Sequence, residues 1–243
     1  VINALGQMFY SLSLAMAITI TYGSYMRKKD SLTSSVTQIA GFDFAVSFLA
    51  GLAIVPAAFV AMGSADAVAA KSGPSLMFIT LPQVFNAMGS IGGVVGTLFF
   101  LLVFFAAITS SISLMETVVS MVRDKFHWNR IPATIAVMIG MIAIGTLSVL
   151  GYGPLANFKI LGMQMLDFFD FISNSVLMPI VAFLTCILIG HVVGTKVIAD
   201  EVGLSAKFTG EKLHRVMIKW VAPILLVVIL VAQILSAFGI ITI

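Results

Sequence analysis

Hydroxyl-bearing residues lie together on one face of an apolar stretch in the middle of the chain. In FFAAITSSISLMETVV (104–119), Ala106, Thr109, Ser110 and Ser113 follow the spacing i, i+3, i+4, i+7, which puts them on one side of a helix. Counting back from the basic residues that follow, at about 1.5 Å per residue, Ser110 lies roughly 20 Å inside, near the middle of a bilayer. Oxygen atoms at that depth can bind a hard cation, although small residues also let helices pack closely.

A carboxylate lies inside a second apolar stretch. If this span starts near residues 31–35, Asp43 is about ten residues, or roughly 15 Å, inside it. An ionised carboxylate there costs at least ~2.5 kcal/mol and requires a partner or a cation, and Ser47, one turn further on, shares its face. The alternative is a span that starts at Gly41, with Asp43 as an ordinary interfacial acid.

Other polar side chains lie within the first and fifth apolar stretches: Gln7, Tyr10, Ser11, Ser13, Asp167, Asp170 and Asn174. Gln7 and Ser11 are one helical turn apart, whereas the acids of the fifth stretch lie toward its outer end, where water can reach them. Hard cations bind hydroxyl, carboxylate and carbonyl oxygens, and three separate spans offer them. This set of residues indicates a pathway for an ion or a polar solute.

Membrane-spanning helices must position these side chains. The chain of 243 residues is 60% hydrophobic and 9% charged, with a mean hydropathy of +1.13, which is too apolar for one water-soluble core. Its apolar runs are continuous rather than alternating, which predicts helices and not barrel strands. We predict an all-α transmembrane domain over residues 1–243 with spans at about 3–26, 33–62, 94–122, 132–150, 161–189 and 212–240. Residues 63–93 are predicted to form a re-entrant or lid-like outer connection.

Positive charge predicts the orientation of these spans. All Lys and Arg residues except Lys71 and Lys159 follow spans one and three or surround the join of spans five and six. Because basic residues are retained on the cytoplasmic side, the C-terminus is predicted to lie outside. The positions of the basic residues are therefore explained by membrane topology. No further basic patch remains that could bind a nucleic acid. The start of the chain has no signal-peptide pattern, and we expect a fragment of a longer protein.

Residues for covalent catalysis are missing at the predicted membrane depth. The three histidines, His127, His191 and His214, all fall in predicted cytoplasmic segments, so no Ser/His pair is available there. One cysteine, scattered histidines and the absence of an HExxH sequence argue against a zinc site. We therefore predict no catalytic residues and no enzymatic activity.

Three stretches resemble the neurotransmitter:sodium symporter family: QMFYSLSLAMAITITYGSYMRKKD (7–30), FITLP (78–82) and FFAAITSSISLMETVVSMVRD (104–124). The likeness covers nearly the whole chain and is greatest to bacterial multi-hydrophobic amino-acid transporters with eleven spans. It implies the second half of a LeuT-type bundle, helices six to eleven. In that fold two inverted five-helix repeats hold substrate and sodium at the midplane beside discontinuous helices. The first five helices, which are not in this sequence, would then be partners of these six.

The resemblance implies two sodium sites, a substrate pocket and two gates. Ser11 and Asp43 match ligands of the first sodium, with Asp43 where the family usually has Asn. Ala106 through its carbonyl, Thr109 and Ser110 match ligands of the second sodium. The positions that line the substrate pocket or the unwound segment are Tyr10, Ser11, Ser13, Met16, Ser110 and Leu114. The acid of the cytoplasmic gate matches Asp124, and that of the outer gate matches Asp167, with Asp170 as the alternative.

Departures from the family pattern carry predictions of their own. Glycine commonly flanks the position of Met16, where this chain has Ala15 and Ala17, so these residues alone predict a continuous helix. Met16 replaces a frequent Phe, and its flexible thioether predicts a pocket for large aliphatic and aromatic side chains. In chloride-dependent relatives the positions of Gln7, Asp43 and Ser47 surround the anion. An anionic Asp43 beside sodium therefore predicts transport without chloride.

These residues together predict sodium-coupled symport of hydrophobic aliphatic and aromatic L-amino acids by alternating access. The protein is expected to span the cell membrane several times, in a bacterial inner membrane. Two alternatives remain open at this point. The polar residues could line a passive ion or solute channel, or the small residues could serve only the packing of a structural bundle.

Overall fold

The computed structural model describes residues 2–64, 68, 76–205, 208–237 and 240, and its regular structure there is almost entirely helical. An antiparallel bridge joins Ile160 to Met163. Within the predicted outer connection, residues 65–67 and 69–75, which include Lys71, lie outside the described residues. The helices are α1 (Ile2–Ser11), α2 (Ile18–Tyr25), α3 (Leu32–Met62), α4 (Leu76–Ala87), α5 (Ser90–Phe126), α6 (Arg130–Leu150), α7 (Met165–Val193), α8 (Thr195–Gly203) and α9 (Glu211–Ala237).

Five of these helices are long and apolar enough to cross a membrane: α3, α5, α6, α7 and α9. They overlap the spans predicted from 33–62, 94–122, 132–150, 161–189 and 212–240. The prediction and the structure agree because the thickness of the hydrocarbon core sets a minimum length for an apolar helix. A hydropathy profile detects apolar stretches of that length. Within the predicted outer connection, α4 is a short apolar helix. The predicted all-α membrane fold is confirmed.

The first predicted span, residues 3–26, is two short helices rather than one. Between α1 and α2 the chain places Ser13, Ala15 and Ala17 at φ of 53°, 62° and 59°, the left-handed region. Residues with a Cβ avoid that region because the Cβ crowds the following carbonyl oxygen, at a cost of roughly 1–2 kcal/mol each. The alanines therefore gave no local signal of a break, and contacts elsewhere must stabilise it.

Replacing Ala17 with glycine is expected to stabilise the protein by about 0.5 kcal/mol, because relief of the left-handed strain slightly exceeds the entropy that glycine loses on folding. The matched control is Ala136→Gly within α6, where the same change is expected to destabilise by about 1 kcal/mol. Thermal unfolding of the complete protein in detergent measures both. A lower melting temperature for both variants would indicate that Ala17 lies in regular helix.

The larger of two compact units contains Val1–Thr37 and Ser113–Ile243. Here α7 packs along α9, and a buried cluster of Ala182, Cys186 and Leu226 lies between them. Phe9 of α1 and Ala15 of the break pack against this cluster. The break is thus anchored on a helix pair. A second cluster, formed by Val119, Ala133 and Val137, joins the end of α5 to α6.

The smaller unit contains Gln38–Ile112. In it α4 lies against the first turns of α5, and the ring of Phe85 contacts those of Phe99 and Phe100, with centroids 5.5 and 6.3 Å apart. A Cβ added at Gly92 would lie 1.7 Å from the carbonyl oxygen of Phe85. Only glycine therefore permits this approach of the two helices.

Four described segments adopt π-helical geometry: Leu76–Thr80, Phe171–Leu177, Leu188–Val193 and Met217–Val221. The first opens α4, the next two lie in α7 and the last lies in α9. A π turn widens the helix and shifts the register of the side chains that follow, and such turns are frequent at functional sites. The segment Phe171–Leu177 forms part of a cavity wall.

Candidate functional site

A cavity of about 460 Å³ lies beside the break between α1 and α2. All of its lining residues belong to the larger unit. One side is formed by Tyr10, Ala15 and Met16, which come from the end of α1 and the break itself. The other side is formed by α7, from Leu166 to Val181, and Leu114 of α5 also contributes. The volume is in the range of ordinary small-molecule sites.

The wall of this cavity is mostly apolar, with one polar patch on α7. The patch consists of Asp170, Ser173 and Asn174. The side-chain amide of Asn174 donates to Oδ1 of Asp170 over 2.5 Å, and the Ser173 hydroxyl donates to the carbonyl of Phe169 over 2.7 Å. An apolar cavity with a few convergent polar groups is typical of a site for a small amphipathic ligand.

The cavity brings together three of the residues predicted to bind substrate: Tyr10, Met16 and Leu114. Ser11 ends α1 and Ser13 lies in the break, so both belong to the segment that borders the cavity without lining it. Ser110 lies on α5 in the smaller unit. Met16 is half-buried and lines this cavity.

The two candidate outer acids lie in different surroundings. Asp170 lines the cavity, whereas Asp167 does not and instead acts electrostatically on Tyr152, in the turn after α6. Loss of water around the Tyr152 phenol, and secondly the negative charge of Asp167, raise the pKa of Tyr152 above its ordinary value. The geometry therefore favours Asp170, the alternative in the sequence prediction, as the acid associated with the cavity.

The residues predicted for the second sodium lie on one exposed face of α5. The Thr109 hydroxyl donates to the carbonyl of Ala106 over 3.0 Å and to that of Phe105 over 3.1 Å. Such bonds within a helix are common for Thr and do not by themselves indicate a ligand site. They do hold the Thr109 hydroxyl and the Ala106 carbonyl side by side, as two oxygen ligands of one cation must lie.

The remaining predicted residues are placed as follows. Asp43 and Ser47 stand one turn apart on α3, and Asp43 is half-buried between two exposed phenylalanines. The helix α3 begins at Leu32, so Asp43 lies about three turns inside it. Gln7 lies exposed on α1, and Asp124 lies exposed near the end of α5.

Sequence reasoning missed the hydrogen-bond network that fastens α2 to α5. The Tyr22 hydroxyl donates to Ser113 over 2.6 Å, and the Tyr25 hydroxyl lies 2.9 Å from Glu116 and 3.0 Å from Ser120. These bonds give Ser113 a role in helix packing. Packing and cation binding were the two interpretations left open for the helix face that Ser113 shares with Thr109 and Ser110.

Glu116 is the centre of this network. Its carboxylate also pairs with Arg130 of α6 over 2.8 Å, and only 18% of its side chain is exposed. Glu116 could have been recognised in the sequence, because it is a single acid two turns inside an apolar run. The same feature indicated Asp43.

Among the described residues, no three His, Cys, Asp or Glu side chains cluster in a way that could hold a metal ion. The cation ligands predicted here are instead hydroxyls, carbonyls and single carboxylates, which suit a weakly held hard cation.

Comparison with known proteins extends over almost the whole chain. A model described as "SNF: Sodium:neurotransmitter symporter family" matches residues 1–240. A sodium-dependent transporter of Haemophilus influenzae is 29% identical over 96% of this chain and 50% of its own length. The sodium-dependent transporter YhdH of Bacillus subtilis is 34% identical over 78% of this chain and 41% of its own.

A solved structure matches as well. The crystal structure of MhsT in complex with L-phenylalanine superposes with a TM-score of 0.84 at 32% identity, covering 96% of this chain and 51% of that one. The chain thus spans about half the length of the relatives it matches. The resemblance found in three stretches of sequence is confirmed, and the chain is a multi-pass membrane protein that belongs to the sodium:neurotransmitter symporter family.

Proposed function

We propose that this chain is the second half of a sodium-coupled symporter for hydrophobic L-amino acids. The observation that carries the proposal is the cavity of about 460 Å³ beside the broken helix, lined by Tyr10, Met16 and Leu114. An apolar wall stabilises an aliphatic or aromatic side chain by roughly 25 cal/mol per Å² removed from water. The L-phenylalanine bound to MhsT, which shares this fold, supports a substrate of that size.

The chain offers oxygen ligands for two sodium ions, which travel as co-substrates. The family resemblance assigns Ser11 and Asp43 to the first ion, and Ala106, Thr109 and Ser110 to the second. Bound sodium would stabilise the substrate-binding form, because a ligand shifts an equilibrium toward the state that binds it better. The remaining ligands would come from the helices that precede α1 in complete relatives, with Asp124 and Asp170 as gate acids.

The transport step requires no covalent chemistry. Substrate and sodium would bind near the break, and the helix bundle would then rock between outward and inward openings. The protein would lie in a bacterial inner membrane with the end of α9 outside, an orientation that the distribution of its basic residues supports.

Uptake by the complete protein in proteoliposomes tests the proposal. An imposed sodium gradient is expected to concentrate L-leucine and L-phenylalanine inside, with saturation in both amino acid and sodium. A panel of hydrophobic and charged amino acids defines the selectivity. Flux that never exceeds equilibration would instead indicate a channel, and absence of any sodium-dependent binding would indicate a structural bundle.

Chloride dependence provides a sharper prediction about Asp43. Wild-type uptake is expected to be equal in chloride and gluconate buffers, because the Asp43 carboxylate supplies the negative charge beside sodium. Asp43→Asn is expected to lower uptake about tenfold in gluconate, with partial recovery in chloride. The control is Asp200→Asn, an exposed acid on α8 whose removal should change neither value. Unchanged uptake by Asp43→Asn in gluconate would refute the role assigned to Asp43.

A further inference from the structure

We infer that Asn174 is a positioning residue, which orients the Asp170 carboxylate at the edge of the cavity and thereby keeps the apolar wall free for a hydrophobic substrate. The inference rests on the proposed transport function. It concerns a residue that stands out in the sequence only as one of several polar side chains, and to which the family resemblance assigns no role.

Asp170 and Asn174 form a close pair one turn apart on α7. The first turns of α7, Met165–Asp170, are α-helical, and Asp170 is their last residue. Asn174 lies in the π segment Phe171–Leu177 that follows. The Asn174 amide donates to Oδ1 of Asp170 over 2.5 Å. A hydrogen bond to an ionised acceptor is short and roughly twice as strong as a neutral one, so it selects one rotamer of the carboxylate.

Within the polar patch, Asn174 is the described side chain that holds this carboxylate. Ser173, the third polar residue on this wall, directs its hydroxyl to the backbone carbonyls of Phe169 and Asp170, at 2.7 and 3.4 Å. Both carbonyls belong to the regular turns that precede the π segment, so the Ser173 hydroxyl leaves the carboxylate to Asn174.

The wall around this pair is apolar. The same face of α7 presents Leu166, Phe169, Leu177, Met178 and Val181 to the cavity. A carboxylate that rotated freely at the edge of this wall would bring charge against the apolar surface, where a hydrophobic substrate must also pack. Burying a charge without a partner is costly, so a mobile Asp170 would weaken binding of the very substrates that the wall favours.

Kinetics of the complete protein test this inference. Asn174→Ala is expected to raise the KM for L-leucine and L-phenylalanine about three- to tenfold with little change in maximal rate, the effect of one charge-assisted hydrogen bond at a partly exposed site. Asn174→Gln, which keeps the amide, is expected to stay within about twofold of wild type. The control is Asn157→Ala, in the turn after α6, which should leave KM unchanged.

A double-mutant cycle separates positioning from a general structural role. If Asn174 acts through Asp170, adding Asn174→Ala to Asp170→Asn changes KM no further. Additive effects of the two substitutions, or an unchanged KM in Asn174→Ala, would overturn the inference.

A second readout does not depend on transport. With Cys186 replaced by alanine and Leu177 by cysteine, a membrane-impermeant thiol reagent is expected to label Cys at 177 faster when Asn174→Ala or Asp170→Asn is present, and equally fast when both are. Unchanged labelling would also overturn the inference. Wild-type protein without sodium-dependent uptake would refute the proposed function, while the labelling rates would still decide the role of Asn174.

Discussion

Gly92→Ala is expected to destabilise the packing of α4 on α5 by about 3 kcal/mol, the upper part of the range for overpacking a well-packed contact. The added Cβ would lie 1.7 Å from the carbonyl oxygen of Phe85 and 2.7 Å from its carbon. Both are backbone atoms, so relief requires α4 to move as a whole, whereas a flexible side chain could simply rotate away. The movement would also separate the ring of Phe85 from those of Phe99 and Phe100.

The neighbouring glycine provides an unusually close control. A Cβ added at Gly93, in the same turn of α5, would have no atom within 4 Å. Gly93→Ala is therefore expected to stabilise by up to about 1 kcal/mol, the normal gain in a helix. Thermal unfolding of the complete protein in detergent should shift in opposite directions for the two variants. Equal melting temperatures would mean that α4 does not approach α5 as described.

Glu116→Ala is expected to destabilise the attachment of α2 by about 2 kcal/mol and to accelerate amide exchange throughout Ile18–Tyr25. The carboxylate accepts from Tyr25 over 2.9 Å and from Arg130 over 2.8 Å, and its removal leaves the Tyr25 hydroxyl with Ser120 alone among these partners. An isolated helix of eight residues is not stable in water, so α2 depends on such tertiary contacts.

The exposed pair between Glu211 and Arg215 serves as the control. Its side chains are 42% and 51% exposed, against 18% for Glu116, so water screens it well. Glu211→Ala is expected to cost at most about 0.5 kcal/mol and to leave exchange in α2 unchanged. Hydrogen–deuterium exchange measured on both variants gives the comparison. Similar exchange of α2 in the two would contradict the role of Glu116.

The long helices could be predicted from sequence because their cause is local. Apolar length alone defines α3 and α6, and both predicted spans end within two residues of the helices in the structure. The bonds that fix them are made within each helix. No distant residue is needed to recognise them.

The break between α1 and α2 could not be predicted in the same way. Its left-handed residues include two alanines, which favour helix, and one of them, Ala15, packs against the cluster between α7 and α9. The family resemblance implied an unwound segment that the residues themselves did not. The π turns are equally hidden, since FISNSVL contains nothing that distinguishes it from an ordinary helix.

The candidate site was predicted in part. Tyr10, Met16 and Leu114 were chosen by resemblance, and the structure brings these three to one cavity. Asn174 was noted only as one more polar residue, because its bond to Asp170 depends on the rotamers of both. Glu116 was overlooked because Tyr25 of α2 lies 91 residues away in sequence and Arg130 belongs to the next helix.

The irregular peptide at Ser13, Ala15 and Ala17 has one more consequence. Acyl chains offer no hydrogen bonds to peptide groups, so irregular backbone at membrane depth needs partners within the protein. Here the Ser13 amide donates to the Tyr10 carbonyl over 3.0 Å, and the Ala17 carbonyl accepts from the Thr21 amide over 2.9 Å and from the Thr21 hydroxyl over 3.0 Å. These bonds satisfy part of the broken backbone without any solvent.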